Sequence, residues 1–380
     1  MQTIKTKRIL LVISITLFWF AQYVYIPFQT PYLKSLGAAA SLTGIIVGAY
    51  GFTQMLLRAP QGILADRYNR HKGFILTGLV SSALASGLRL LVPTPGAFLA
   101  ANLLSGVAST MWISFTIYYA SLFDEAEMKK AMGYSMAACN GGILLAFVAG
   151  SLLNDIFSIR EVFAASVISG TLGLLVALFI REDKPAPRAA SPVSALKVFS
   201  SKPLILWSLL GVSLQAILFS TALSFTASYL KLLTSQEFLL GVSSAIFIAS
   251  SVAASLLIGH IRTLSSRALI GILFGFLLLY CALMPLTHAV WQVCLLQVAA
   301  GIGNGALIPL LMALALDGVD SSRKSTAMGF FQAAFGIGMT LGPMLTGALI
   351  EGSGYPAGYW AMGLLALISI GASQLIRIRR

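Results

Sequence analysis

Long apolar runs follow one another along almost the whole chain of 380 residues. An α-helix needs about 20 mainly apolar residues to cross a bilayer, and twelve runs, each bounded by Gly, Pro or charged residues, meet that requirement. We number them as spans one to twelve: 9–33, 41–64, 73–92, 96–122, 131–157, 161–181, 203–230, 238–260, 267–287, 290–316, 325–350 and 355–376. The pattern predicts an all-α polytopic membrane protein with twelve transmembrane helices.

The composition excludes an ordinary soluble domain. Hydrophobic residues make up 58% and charged residues 10% of the chain, against roughly 25% charged in soluble proteins, and the mean hydropathy is +0.89. The net charge of +13 does not indicate nucleic-acid binding, because the basic residues form short clusters between apolar runs instead of one exposed face. The three cysteines lie in apolar segments without the paired spacing of a disulfide framework or a zinc site.

The basic clusters predict the orientation in the membrane. Of the 25 Lys and Arg residues, 20 fall at the termini or in the alternate loops on the same side. The opposite loops hold Lys34, Arg89, Arg160 and Lys231, and Arg58 falls within span two. By the positive-inside rule, both termini are cytoplasmic. We expect a multi-pass protein of the cell (inner) membrane.

The chain contains an internal repeat on either side of a polar connection. The sequence AMGYSMAACNGG at 131–142 aligns with AMGFFQAAFGIG at 327–338 at an offset of 196 residues, and an offset of 197 pairs Gly106 with Gly303. A chance match between small residues in apolar helices is the alternative. Parallel repeats are a known transporter plan with the solute site between the halves. We therefore predict an N-terminal bundle at 1–182, a cytoplasmic linker at 183–202 and a C-terminal bundle at 203–380.

The most charged stretch between two spans is GILADRYNRHK, residues 62–72. It resembles the loop signature Gly-x-Leu-Ala-Asp-Arg-x-Gly-Arg-Arg/Lys of the major facilitator superfamily, with Asn69 where the family has Gly. Asn tolerates a left-handed backbone better than most residues. The residues that match the signature are Gly62, Leu64, Ala65, Asp66, Arg67 and Arg70.

The resemblance implies the major facilitator fold, with twelve transmembrane helices in two pseudo-symmetric six-helix bundles that work by alternating access. It also implies that the loop is a conformational latch between the halves, formed by Gly62, Asp66, Arg67 and Arg70, with Asp124 as a partner. A solvated charge run that only fixes orientation is the alternative. This sequence departs from the family in having Asn102 where proton-coupled members often carry Arg, and in having Gly-Pro in span eleven instead of span five.

In the superfamily, spans one, four, seven and ten line the solute cavity, and their polar residues recur here at helical spacing. Amides and hydroxyls at membrane depth should face water or a partner, and interhelical hydrogen bonding is the alternative to solute binding. The candidate substrate-binding residues on these spans are Gln22, Tyr25, Gln29, Asn102, Ser109, Trp112, Gln215, Gln297 and Asn304.

Arg58 is a further candidate, because a charge inside a span by default indicates function. The alternative is that Arg58 extends toward the cytoplasm or bonds backbone carbonyls. The twelve Asp and Glu residues all fall in predicted loops or at span ends, which argues against simple exchange of a cationic drug for a proton. If Arg58 is functional, it favours an anionic or zwitterionic solute.

The sequence thus predicts a secondary transporter that exports a small amphipathic or zwitterionic organic solute, with a proton gradient as the driving force if transport is coupled. An importer or facilitator of a small anionic metabolite, a lipid flippase and a transport-inactive receptor are the alternatives. We expect no enzymatic activity, cofactor or metal, because the three histidines are scattered and no phosphate-binding Gly-rich loop is present. The expected partners are a small-molecule substrate and membrane lipids, with no nucleic acid, and we expect a monomer.

Overall fold

A computed structural model describes residues 2–68, 70–124, 127–182, 202–258, 264–317, 319 and 324–375 of the chain. These residues form helices and turns and no strand. Eleven helical stretches among them are long and apolar enough to cross a membrane. The stretches are Ile4–Ser35, Ala40–Ala65, Lys72–Leu91, Pro95–Ala120, Ala131–Ile156, Ile159–Leu178, Lys202–Leu230, Phe238–Ile258, Ser266–Leu286, Val290–Leu316 and Ala327–Leu375.

The last stretch contains two helices. Gly354 has a φ of 80° and ψ of 174° inside the helical run Lys324–Leu375, a backbone conformation that glycine adopts without the steric cost of a Cβ. Pro356 follows two residues later and is well placed near the start of a new helix, where no N–H donor is needed. The break divides the run into spans eleven and twelve, so the described helices match the twelve predicted spans and confirm the predicted fold class.

Spans one and seven are each interrupted in their second half. Span one consists of the helices Ile4–Tyr23 and Ile26–Ser35, because Pro27 has no N–H for the carbonyl of Tyr23 and its ring crowds that carbonyl. Span seven contains a π-helix, Thr221–Phe225, between Lys202–Ser220 and Thr226–Leu230. An offset of 197 residues, the same that pairs Gly106 with Gly303, takes the break in span one to the start of this π-helix. The internal repeat therefore includes the interruptions.

The helices group into two compact units. Unit 1 comprises residues 1–26 and 56–191, and unit 2 comprises residues 27–55 and 192–380. In unit 1, the helix Ile4–Tyr23 packs against spans five and six, and span three packs against spans four and six. In unit 2, span seven packs against the run Lys324–Leu375, and span eight packs against span ten. The bundle boundaries at 182 and 203 remain a prediction.

Glycines allow helix backbones to touch within unit 2. A Cβ added to Gly48 would lie 2.6 Å from the carbonyl oxygen of Thr340, and one added to Gly44 would overlap the carbonyl of Pro343. On spans eight and ten, a Cβ at Gly305 would overlap the carbonyl of Ser251. Close approach at small residues is a common basis of helix packing in membranes, where the lipid tails are as apolar as the side chains.

Candidate functional site

A buried polar cluster joins spans one, three and four of unit 1. Arg89 lies in the last turn of Lys72–Leu91 and is 0% exposed. Its Nη2 donates to the Oδ1 of Asn102 at 2.7 Å and to the Oγ of Ser105 at 2.9 Å. The guanidinium carbon lies 3.9 Å from the ring centroid of Tyr25, at the break in span one. A cation thus lies at the centre of the cluster.

Gln22 extends the same cluster by one turn of span one. Its Nε2 donates to the carbonyl oxygen of Ser105 at 2.9 Å and to the Oγ of Ser109 at 3.1 Å. Four of the predicted substrate-binding residues, Gln22, Tyr25, Asn102 and Ser109, therefore lie together around Arg89. Their hydrogen bonds are the interhelical bonds considered as the alternative to solute binding, so the cluster is ordered without a solute.

The sequence analysis placed Arg89 in a loop on the non-cytoplasmic side, and that placement is wrong. Arg89 is part of the helix of span three and is covered by the neighbouring spans. Its side chain points toward the polar face of span four instead of solvent. The available signal was its position within the apolar run SGLRLLV, inside the predicted limits of span three.

The buried charges in the described part of the chain are all basic. Lys7, Arg58 and Arg89 are 4%, 8% and 0% exposed, and no described Asp or Glu is buried. Since the field of a buried cation is poorly screened in a low-dielectric interior, Arg89 gives the polar cluster a positive potential. A cationic solute would be repelled there, and a negatively charged group would be attracted.

An aromatic cluster lies next to the polar cluster on the same spans. Trp19 of span one and Trp112 of span four meet edge to face, with ring centroids 5.3 Å apart. Phe18 packs on Phe115 at 5.3 Å, and Tyr23 contacts Phe147 at 6.0 Å. Trp112, another predicted substrate-binding residue, is partly exposed. Aromatic walls beside a few polar groups are typical of sites for amphipathic organic molecules.

The remaining predicted binding residues are distributed between the two units. Arg58 is buried in unit 1, whereas Gln29 and Gln215 are buried in unit 2. Gln297 donates to the carbonyl oxygen of Ala222 in the π-helix at 3.3 Å, and Asn304 donates to the Oγ of Ser251 at 2.9 Å. These two amides also make interhelical bonds, and their role in solute binding stays a prediction.

The predicted latch is only partly visible. The side chains of Asp66 and Arg67 lie outside the described residues, and Arg70 and Asp124 are exposed. A Cβ added to Gly62 would meet no described atom within 4 Å, so the described residues make no close helix approach there. The role of the loop as a latch stays a prediction.

Sequence reasoning missed the acidic group that the loop does contact. Both carboxylate oxygens of Glu182 accept backbone N–H groups at the start of span three, from His71 at 2.6 Å and from Lys72 at 3.2 Å. The first N–H groups of a helix have no partner within the helix, and a carboxylate at this end also interacts favourably with the helix dipole. Glu182 therefore holds the start of span three beside the end of span six.

Among the described residues, no group of three His, Cys, Asp or Glu side chains is placed to hold a metal ion. Cys139 and Cys281 are buried free thiols, and Cys294 is partly exposed. The candidate site of unit 1 therefore consists of one cation, neutral amides and hydroxyls, and aromatic rings.

The sequence matches the model of a known protein family. The family model described as Major Facilitator Superfamily matches residues 11–264 and 233–379. The chain is 26% identical over 374 residues to the multi-drug resistance efflux pump PmrA of Streptococcus pneumoniae, with 92% of each chain covered. It is 21% identical over 337 residues to the quinolone resistance protein NorA of Staphylococcus aureus, covering 86% of this chain and 85% of that protein.

Solved structures show the same fold at lower sequence identity. A POT family transporter in complex with 5-aminolevulinic acid has a TM-score of 0.81 at 15% identity, covering 97% of this chain and 98% of that one. At this identity the likeness extends to the fold alone.

Proposed function

The chain belongs to the Major Facilitator Superfamily of membrane transporters, and we propose that it exports small amphipathic or zwitterionic organic solutes across the cell membrane by alternating access. The relatives named as a multidrug efflux pump and a quinolone resistance protein support export. The interruptions in spans one and seven support a site at these helices, since broken helices at equivalent positions of two repeats often mark the solute site of a transporter.

The charge of the buried groups carries the proposal on substrate class. The cation at the centre of the polar cluster is Arg89, which is 0% exposed, and no described Asp or Glu is buried. A permanently cationic solute would enter a site of like charge. A solute with one negative group and an apolar body would interact with both the cation and the aromatic cluster of Trp19 and Trp112.

The proposal includes the orientation and organisation predicted from sequence. The basic residues concentrate at the termini and alternate loops, which supports cytoplasmic termini in an inner membrane. We propose a monomer whose bundles at 1–182 and 203–380 alternate around the site, with the loop at 62–72 as the latch. If transport is coupled, a proton gradient is the proposed energy source.

Import or facilitated movement of a small anionic metabolite is the second candidate function. The same buried cation favours it, because an anion would be attracted whichever way it moves. A lipid flippase would instead carry acyl chains, so it would move a fluorescent phospholipid between leaflets.

Transport into and out of proteoliposomes tests the proposal. The purified chain would be reconstituted into vesicles that hold an unlabelled aryl carboxylate or zwitterionic drug, and entry of the labelled solute would be followed with and without an imposed pH gradient. Export predicts counterflow of the labelled solute, accelerated when protons can move in the opposite direction. Counterflow at the same rate with and without the pH gradient indicates a facilitator. Movement of a labelled phospholipid between leaflets without counterflow of the solute contradicts the proposal.

A further inference from the structure

We propose that Arg89 binds the carboxylate group of the transported solute. This inference rests on the proposed transport function and deepens it, because it assigns the substrate class to one side chain. The sequence analysis did not include Arg89 among the site residues. Three features of the guanidinium support this role: its hydrogen-bond donors, the charges around it and the groups beside it.

Most of the donors of Arg89 have no partner among the described residues. A guanidinium carries five N–H donors and no acceptor. The Nη2 atom donates to Asn102 and Ser105, but the buried Nε and Nη1 atoms have no hydrogen-bond partner among the described residues. Those two atoms carry three of the five N–H groups. Leaving buried donors of a charged group unsatisfied is strongly unfavourable, so the site is suited to an added acceptor.

The charge of Arg89 also has no counter-ion among the described residues. No carboxylate of the described residues is buried, and the described contacts of the guanidinium are with an amide, a hydroxyl and an aromatic ring. A buried charge that has lost its partner is strongly destabilising. A bound anion would provide both the missing charge and the missing acceptors.

The surroundings of Arg89 hold the guanidinium in a fixed orientation. Asn102 and Ser105 fix Nη2 from span four, and the ring of Tyr25 lies 3.9 Å from the guanidinium carbon. Because the N–H groups point outward in the plane of the guanidinium, an aromatic ring over its face does not occupy them. A carboxylate is a planar acceptor that matches such in-plane donors.

The rest of the solute would contact the aromatic cluster. Trp112 is seven residues beyond Ser105 on span four, which is about 10 Å along a helix at 1.5 Å per residue. A molecule with a carboxylate at one end and an aromatic ring a few methylenes away would span that separation. The assigned class is therefore an aryl-alkyl carboxylate, or a zwitterion that presents such a carboxylate.

Binding of matched acids and amides to the intact, purified chain tests this assignment. The probes are ω-phenylalkanoates with two to six methylenes and the corresponding uncharged primary amides, with affinities measured by calorimetry or by ligand-induced thermal shift in detergent. In the wild type, each acid is expected to bind about tenfold or more tightly than its amide, since hydrogen bonds to a charged group are lost in the amide. Arg89→Gln should remove this preference while leaving amide binding within about twofold of the wild type.

Two further variants keep the test independent of folding. Arg89→Lys retains the charge but not the planar set of donors, so part of the preference for acids should return. Lys7→Gln removes another buried cation of unit 1 and should leave the preference unchanged. A purely structural role for Arg89 predicts that Arg89→Gln weakens acids and amides equally.

The assignment is overturned if the wild type binds neither series, if acids and amides bind alike, or if Arg89→Gln keeps the preference. These measurements need no transport. Loss of the acid preference in Arg89→Gln, together with no counterflow in proteoliposomes, would uphold the binding site and reject the proposed export. Counterflow that is the same in the wild type and in Arg89→Gln would uphold transport and reject Arg89 as the binding residue.

Discussion

The Nη2 atom of Arg89 lies 2.7 Å from the Oδ1 of Asn102, and this contact links spans three and four in the middle of a buried polar cluster. Asn102 stands where proton-coupled members of the superfamily often carry an arginine. In this chain, the neighbouring span brings a guanidinium to that amide. A guanidinium therefore lies next to position 102, although residue 102 itself is uncharged.

Replacing Asn102 with Asp should give Arg89 an internal counter-ion. Since a buried cation without a partner is destabilising by about 3–5 kcal/mol, Asn102→Asp should raise the apparent midpoint of thermal unfolding and weaken the binding of phenylalkanoates by about tenfold. Asn102→Leu, which removes the acceptor, should lower the midpoint. A midpoint for Asn102→Asp below that of Asn102→Leu would contradict the view that Arg89 lacks a counter-ion.

Gly305→Ala should destabilise unit 2. A Cβ at this position would overlap the carbonyl oxygen of Ser251, and forcing extra volume into a close helix contact costs about 1–3 kcal/mol. Gly275→Ala is the matched control, since no described atom lies within 4 Å of the added Cβ and alanine favours a helix by about 1 kcal/mol. Thermal unfolding in detergent should show opposite shifts, and equal shifts would argue against the close packing of spans eight and ten.

Glu182→Ala should loosen the start of span three. The carboxylate accepts the N–H groups of His71 and Lys72, and the loss of a helix-capping side chain costs about 1 kcal/mol. Hydrogen exchange of a peptide covering residues 70–78 should accelerate. The exposed acid Asp155 provides the control Asp155→Asn, for which exchange in this peptide should stay unchanged. Unaltered protection in Glu182→Ala would mean that the cap contributes nothing to this helix end.

Thr30→Val should destabilise the π-helix of span seven. The Oγ1 of Thr30 donates to the carbonyl oxygen of Ser224 at 2.7 Å, and a buried carbonyl left without this donor costs about 1–3 kcal/mol. The control is Thr53→Val, because Thr53 donates to Ala49 within its own helix at 3.2 Å. Thermal unfolding should show the larger loss for Thr30→Val. A larger loss for Thr53→Val would show that the hydrogen bond between Thr30 and Ser224 contributes less to stability than its length indicates.

Labelling of single cysteines tests the proposed topology. In a background without the three native cysteines, Ala190→Cys and Leu375→Cys should react with a membrane-impermeant maleimide only after the cells are permeabilised. Ser235→Cys, in the exposed turn after span seven, should react in intact cells. The opposite pattern would invert the orientation, and different sides for residues 190 and 375 would exclude twelve spans with a cytoplasmic linker.

Span number and the internal repeat could be predicted from sequence because both depend on local composition. Twenty apolar residues in succession have few ways to satisfy their backbone in lipid other than a helix. Pro27 marks the break in span one by its missing N–H. The π-helix Thr221–Phe225 has no such marker, since it depends on partners such as Thr30 and Gln297 that are far away in sequence.

The candidate site could be predicted only in part. The helical period of Gln22, Asn102 and Ser109 predicted that they share a polar surface, and they lie in one cluster; their role in solute binding stays a prediction. Counting charges by side placed Arg89 in a loop, because a charge near the end of an apolar run can lie on either side of the boundary. Its inward direction depends on the acceptors of span four, which are provided by tertiary packing.

The glycine contacts between span two and span eleven have a consequence for motion. Gly44 and Gly48 bring backbone against backbone at Thr340 and Pro343, so no side chain separates the two helices at these positions. If the proposed bundles 1–182 and 203–380 rock as bodies, the junction joins one to the other and must part and reform in every cycle. A contact between backbones can separate without forcing side chains through unfavourable rotamers. A bulky residue such as leucine at position 48 would keep the two helices apart.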